Sequence, residues 1–341
     1  MRSTNRQWRL RKRPVGDIRP GDLEFVESPK PVPRKGEFLV RNVYLSLDPT
    51  NRIWMSDMDQ YMPPVALGDV MRGGTLGMVE QSNVPEFEVG DLVLPGMGGW
   101  QDYSIATVSG PFAARKLTRL PGIPMSSYLS ALGFTGATAY FGLLDLGRPK
   151  PGETVVVSAA AGAVGQIVGQ IARIKGCNVI GIAGSDAKCN YVAKELGFNA
   201  CINYKQADLA KALKKLCPKG IDIDFENVGG RILDTILAHI NLHARIVLCG
   251  LISQYNADGP VVGQNLTSIL MKRARIEGFI ILDYINRFDE FTAEMAQWLM
   301  TGQVKDRVDI TEGLENAVDT LGKLFTGGNM GKLLIQISEE P

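Results

Sequence analysis

The chain has 341 residues, 45% of them hydrophobic and 21% charged, with 37 Lys and Arg against 36 Asp and Glu. That length predicts two domains, and the usage is that of an ordinary globular protein with a large core. A formal charge of +1 supplies no field for nucleic acid or an anionic membrane, and no apolar run approaches the roughly 20 residues of a membrane span.

The first stretch, MRSTNRQWRLRKRPVG, is basic but lacks the apolar centre of a secretory signal. Trp8 and Leu10 alternate with Gln7 and Arg9, which predicts a half-exposed strand. Short β runs then recur to about residue 125 (GEFLVRNVYLSL, GDLVLPG, WQDYSIAT), with turn signals between them. That rhythm suits a small barrel-like all-β domain. From SYLSALGFTGATAYFGLLDLG the text becomes helical.

Strands are predicted next at Thr154–Ser158, Asn178–Ala183, Ala200–Tyr204, Asp222–Glu226, Arg245–Cys249 and Arg275–Leu282. Helical text separates most of them, for example AKCNYVAKELG closing on Gly197. Such alternation implies a parallel sheet covered on both faces, an α/β fold. After helical NRFDEFTAEMAQWLMTG the tail reads helix then strand (LENAVDTLGKLF, GKLLIQI) and is assigned back to the first domain. The expected boundaries are 1–127 with 302–341 for the β-rich domain and 128–301 for the other.

Within TVVVSAAAGAVGQIVGQIARIKGCNVIGIAGSDAK, the small residues Ala160, Gly162 and Gly165 stand between a strand and an amphipathic helix. They permit a tight turn and a close approach of pyrophosphate to the helix N-terminus. Gly165 and Gly169 are expected to let helix and strand touch, with Ile167, Ile171 and Ile174 facing the sheet. An acid ending the second strand would select NAD through the ribose hydroxyl. Here Gly184 and Ser185 occupy that place, and Lys188 follows in the first turn of the next helix. A cation there opposes the helix dipole unless an anion is bound. The turn is therefore read as holding NADP, with Asp186 as an N-cap or first-turn acid.

The first 176 residues contain neither Cys nor His, and both histidines, His239 and His243, lie in the second domain. Zinc needs a cluster of thiolate, imidazole or carboxylate ligands, so a zinc alcohol dehydrogenase is excluded on ligand supply and no metal site is expected. Cys–His and Ser–His–Asp schemes fail on the same shortage. The five cysteines (Cys177, Cys189, Cys201, Cys217, Cys249) hold no CxxC pair and are odd in number. Reduced thiols in a cytoplasmic protein are the expectation.

The segments VYLSLDPTNR, GFTGATAYFGLLDLG, AAAGAVGQIVGQIARIKGC, AGSDAK, FENVGG, CGLISQYN, EGFII and GGNMGKLLI fall in order along nearly the whole chain. They resemble the zinc-free branch of the medium-chain dehydrogenase/reductases that holds prostaglandin reductases, plant alkenal double-bond reductases and bacterial curcumin reductases. CPKGIDIDFENVGG and EMAQWL look closest to the bacterial side. The resemblance implies a GroES-like β-rich domain from both chain ends and a Rossmann domain between them. It implies a homodimer joined through RIEGFIIL, an apolar strand that would be a liability if left bare.

It also implies cofactor contacts. Gly162, Ala163, Val164 and Gly165 would hold the pyrophosphate, and Gly184, Lys188 and Tyr204 the adenosine 2′-phosphate end. Asn227, then Cys249, Gly250, Leu251, Ile252, Ser253, Gln254 and Tyr255, then Phe279, Ile280 and Ile281, and finally Asn329 would line the rest. ENVGG and GGNMG would serve equally as strand-end turns. One departure stands out: family members often carry a tyrosine after DP, where this chain has Thr50.

The implied reaction is hydride transfer from NADPH to the β-carbon of an α,β-unsaturated ketone or aldehyde. Charge then collects on the carbonyl oxygen as an enolate, which needs a hydrogen-bond donor. Tyr255, just past the fifth strand, is the candidate donor, with a packing role against the cofactor as the alternative. The same fold would serve a quinone reductase or an NADPH-binding module without turnover, and the acceptors consumed distinguish the three.

Overall fold

The computed structural model describes residues 3–110, 112–257 and 265–341. It divides into two compact units, one of Met1–Leu129, Asp309–Asn329 and Leu333–Pro341, the other of Ser130–Val308 with Met330–Lys332.

The first unit opens with β1 (Thr4–Leu10) and β2 (Leu23–Pro29), an antiparallel pair. It continues with β3 (Glu37–Ser46), the short helix α1 (Thr50–Trp54), β4 (Thr75–Ser82), β5 (Leu92–Leu94), β6 (Tyr103–Thr107) and β7 (Arg115–Lys116). Phe38, Val40, Val79, Val93 and Ala106 share a core with Phe87, whose ring stacks on Phe38 at 4.3 Å. The alternation expected in β1 holds only at Leu10, which is fully buried. Asn5 and Gln7 are buried, and Trp8 is only half-buried. The inner face is polar and satisfied: Asn5 Nδ2 donates to Tyr103 O at 3.1 Å and Gln7 Nε2 to Gln101 Oε1 at 2.8 Å. The basic segment is structural here, with Arg6 paired to Asp102 at 2.9 Å.

The second unit is a parallel sheet of β8 (Thr154–Val157), β9 (Asn178–Ala183), β10 (Ala200–Asn203), β11 (Ile221–Glu226), β12 (Ile240–Leu248) and β13 (Arg275–Gly278). Their order is β10-β9-β8-β11-β12-β13, which reverses direction between β8 and β11, the switch point of a doubly wound sheet. The helices are α2 (Phe134–Phe141), α3 (Ala163–Ile174), α4 (Asp186–Asn190), α5 (Leu209–Leu216), α6 (Gly230–Leu237), α7 (Leu266–Lys272) and α8 (Phe288–Met300). Side chains alternate along β11. Phe225 and Ile223 face the α2 side, where Gly142 and Gly147 leave room for them. Asp224 sits on the other face between Val156 and Ile246, which belong to one core with Leu213 of α5 and Leu233, Ile236 and Leu237 of α6.

Three predicted boundaries are corrected. The last strand stops at Gly278, not Leu282, and a 3-10 turn follows at Ile281–Arg287. Its neighbour β12 ends at Leu248 opposite Gly278, so no backbone remains to pair with Phe279 onward. β12 begins at Ile240, five residues before Arg245, with a register shift against β11 and a left-handed His243 (φ 61). The helix predicted through AKCNYVAKELG passes from α4 into a π-helical turn at Tyr191–Glu195, with Gly197 (φ 71) beyond it.

The chain then returns to the first sheet as β14 (Val308–Glu312) and β15 (Lys332–Gln336), giving the order β14-β15-β3-β4-β5-β7 with β6 on β3. Among the described residues no helix is long and apolar enough to cross a membrane.

Candidate functional site

The turn between β8 and α3 has the backbone geometry that a phosphate-binding turn requires. Ala159 itself adopts the left-handed conformation (φ 48), a cost of about 1–2 kcal/mol for a residue with a Cβ. Gly162 caps α3 without a side chain, its N–H returning to Ala159 O at 2.8 Å. The first helical bond runs from Gln166 N to Gly162 O. The N–H groups of Val164 and Gly165 accordingly have no acceptor among the described residues, the arrangement that receives an anion, while Ala163 borders the bridge that Gly162 makes with Gly331. Gly165 is obligatory because a Cβ would lie 2.5 Å from Ala159 O. The expectation of helix–strand contact through Gly165 and Gly169 is corrected. Gly165 approaches the turn, and Gly169 makes room for the Phe198 ring, 1.8 Å from where a Cβ would stand. Ile167 and Ile171 are fully buried, and Ile174 is half-buried.

At the end of β9 no acid is available to a ribose. Ser185 is the N-cap of α4, its Oγ accepting the Lys188 N–H at 3.3 Å. Asp186 is the first-turn acid and accepts from Asn203 Nδ2 at 2.8 Å. Tyr204 lies over Gly184, its ring 3.3 Å from the place of a Gly184 Cβ, and Lys205 Cε comes within 3.4 Å of the same point. Lys205 is a cation that sequence reasoning missed, although it directly follows Tyr204. Behind this corner the thiols of Cys189 and Cys201 hydrogen-bond to each other, and burial pushes both up in pKa.

The third part lies at the switch point. Asn227 follows β11; its Nδ2 donates to Ser158 O at 2.8 Å and its N–H to Ser158 Oγ at 2.7 Å. The loop Cys249–Tyr255 is hung on the same strand end: Cys249 and Gly250 N–H donate to Glu226 O, Ile252 N–H to Asn227 O and Ser253 N–H to Val228 O. Leu251 and Gln254 side chains close over Gly229. The Tyr255 hydroxyl oxygen, Oη, accepts the Leu251 N–H at 3.0 Å. Burial, with Glu226 adding to it, pushes the Cys249 thiol up to about 12, which makes it a poor nucleophile. The Phe279 ring packs at Gly142 and edge-on to Tyr284, while Ile280 and Ile281 are half-buried at the start of the next turn. Asn329 is buried in the first unit.

Sequence reasoning also missed Ser158 and Glu226, both fully buried. Glu226 Oε1 accepts from Ser158 Oγ at 2.7 Å, from Gly229 N–H at 2.8 Å and from Val228 N–H. Burial raises its pKa against those donors, which act to lower it. Asp224 is raised further by burial and then by Glu226. The signal for Glu226 was its place in FENVGG, directly before Asn227. Among the described residues no three His, Cys, Asp or Glu side chains converge as metal ligands.

A glycine-lined anion cradle, an acid-free strand end and an amide at the switch point of a parallel sheet fit a phosphorylated dinucleotide. Fold and site together define a nucleotide-dependent oxidoreductase. Residues 6–113 match the profile of an N-terminal domain of oxidoreductase, and residues 163–299 that of a zinc-binding dehydrogenase. The NADPH-dependent curcumin reductase of Escherichia coli (strain K12) is 47% identical over 98% of this chain and 97% of its own. The NADP(+)-dependent 2-alkenal reductase of Nicotiana tabacum is 40% identical over 99% and 98%. The crystal structure of CurA in complex with NADPH from Vibrio vulnificus superposes with a TM-score of 0.92 at 47% identity, over 98% of this chain and all of that one. The chain belongs to the medium-chain dehydrogenase/reductase family, in its zinc-independent branch.

Proposed function

We propose that this protein reduces the carbon–carbon double bond of α,β-unsaturated ketones or aldehydes with NADPH. The observation that carries the reading is full-length likeness to reductases named for curcumin and for 2-alkenals. The acid-free end of β9 beneath Tyr204 and Lys205 supports NADPH over NADH. When bound, NADPH supplies the hydride. The chain's own share is to hold it: the turn Gly162–Gly165, with the open N–H groups of Val164 and Gly165, on the pyrophosphate, Lys188, Tyr204 and Lys205 at the 2′-phosphate, and Asn227 at the other end. Tyr255 is the proposed donor to the substrate's carbonyl oxygen. Its oxygen already accepts the Leu251 N–H, and a hydroxyl that accepts becomes a stronger donor.

The test is NADPH and NADH consumption across enals, enones, quinones and saturated ketones. Enals and enones should be reduced with NADPH preferred. Turnover of quinones alone, or of no acceptor, would overturn the reading.

The chain is further proposed to form a homodimer through the sheet edge at β13. Leu266, Leu270 and Met271 on α7, which leads into that strand, are 63%, 71% and 64% exposed, an apolar face beside an open edge. Sedimentation at micromolar concentration checks it; a monomer refutes it. Free thiols at all five cysteines accord with a cytoplasmic protein.

A further inference from the structure

Ser158 and Glu226 stand at the ends of β8 and β11, the two neighbours between which the sheet order reverses. Both are fully buried, and the hydrogen bonds between them run in one direction. The hydroxyl of Ser158 donates to Glu226 Oε1 at 2.7 Å and accepts the Asn227 N–H at 2.7 Å. The Ser158 carbonyl takes the Asn227 side-chain amide at 2.8 Å. With Nδ2 fixed in this way, Asn227 Oδ1 accepts no hydrogen bond from any described residue. The same carboxylate oxygen gathers the Val228 and Gly229 N–H groups, so the whole turn after β11 is wound around it. That turn in turn receives the Ile252 and Ser253 N–H groups of the opposite loop.

The other oxygen, Glu226 Oε2, is buried with no partner. An unsatisfied carboxyl oxygen at that depth is costly, and nothing in the packing of β11 demands it, since Phe225 beside it fills the core on the opposite face. Asp224, two residues earlier in the body of β11, also has both oxygens buried without a partner; what sets Glu226 apart is its place at the switch point, where ligands of open parallel sheets bind, and the turn its Oε1 gathers.

We propose that Glu226, acting through Ser158, is the positioning residue for the nicotinamide half of the cofactor. It sets the Asn227 amide so that Oδ1 faces neutral donors, a carboxamide N–H or a ribose hydroxyl, and it holds the 250–255 loop that closes the same end. The proposal rests on the NADPH reading above. It makes a separable claim, because none of these bonds reaches the adenosine end, where Gly184, Tyr204 and Lys205 cluster.

The experiment measures Kd for NADPH and for 2′,5′-ADP, a probe of the adenosine end alone, on wild type and three full-length variants. Glu226→Ala should weaken NADPH by about tenfold or more, the loss of a charge-assisted hydrogen bond, and leave 2′,5′-ADP within about twofold. Ser158→Ala, which keeps the carboxyl, should act in the same direction and keeps the test open should Glu226→Ala fail to fold. Glu226→Gln retains the Oε1 acceptor and should recover most of the NADPH affinity. Equal weakening of both ligands by Glu226→Ala or Ser158→Ala, or unchanged NADPH binding, overturns the proposal, as does a Gln variant no better than Ala. Wild-type protein that binds neither ligand refutes the NADPH reading itself.

Discussion

Asp224→Leu should stabilise the protein, and more so as pH rises. Both Asp224 oxygens are buried without a partner, between Val156 and Ile246 and beneath the apolar side of α6. An unsatisfied buried polar group costs about 1–3 kcal/mol. Leucine keeps the branching at Cγ and adds apolar burial worth about 1.5–3 kcal/mol, offset by about 1–3 kcal/mol because its methyls are larger than oxygens. A net gain of roughly 1–3 kcal/mol follows, or several degrees in Tm for a unit of this size.

The pH dependence has a definite sign. Burial raises the folded-state pKa of Asp224 above its ordinary value, so the folded protein keeps a proton that the unfolded chain releases above about pH 3.9. Wild-type stability is therefore full below that pKa and falls by up to about 1.4 kcal/mol per pH unit until the folded-state pKa is passed. The leucine variant lacks this loss. Thermal unfolding of both proteins from pH 5 to 8 is the assay. A variant less stable than wild type, or a gap that narrows as pH rises, would refute the account.

Gly165→Ala places a Cβ 2.5 Å from Ala159 O and 2.9 Å from Ala160 Cα; since both are backbone, the turn must move, and NADPH binding by fluorescence titration should be lost while the fold persists by circular dichroism. Lys188→Ala should raise the NADPH KM by about 10- to 100-fold, the value of a charge-assisted contact, with kcat nearly unchanged; equal use of NADH and NADPH by wild type would contradict this. Tyr255→Phe should lower kcat by up to about 100-fold, the cost of one oxyanion donor, at near-normal NADPH Kd. Unchanged kcat with every acceptor would leave that ring a packing role only.

The strand and helix pattern of the second unit was legible because buried parallel strands are short apolar runs with helices between them. The phosphate turn was legible for its small residues, although Ala159, not a glycine, carries the left-handed bend. What escaped depends on the third dimension. Ser158 and Glu226 are 68 positions apart, and only the pairing of β8 with β11 joins them. Lys205 was hidden because nothing in one sequence tells which side of the chain faces Gly184. β1 was legible as a strand, but burial of Asn5 and Gln7 alongside Leu10 was not, because their amide partners at Gln101 and Tyr103 lie far along the chain. Phe279 was read into a strand on its apolarity, but strand length is set by the partner, and β12 had already ended.

The corner around Gly184 also bears on how cofactor choice can change in evolution or by engineering. Converting such a site to NAD requires a carboxylate able to reach a ribose hydroxyl, and each of three successive positions places a neighbour in its way. At Gly184 a Cβ would stand 3.3 Å from the Tyr204 ring and 3.4 Å from Lys205 Cε, so a carboxylate there would have to press Tyr204 aside and would face the lysine. At Ser185 an acid would be drawn to the Lys188 N–H as the helix cap, and the acid already at Asp186 is engaged by Asn203. At Ser185 and Asp186 an acid for the ribose would be drawn from a contact that caps α4 or holds Asn203 at the end of β10, so there specificity and local architecture would have to be exchanged together.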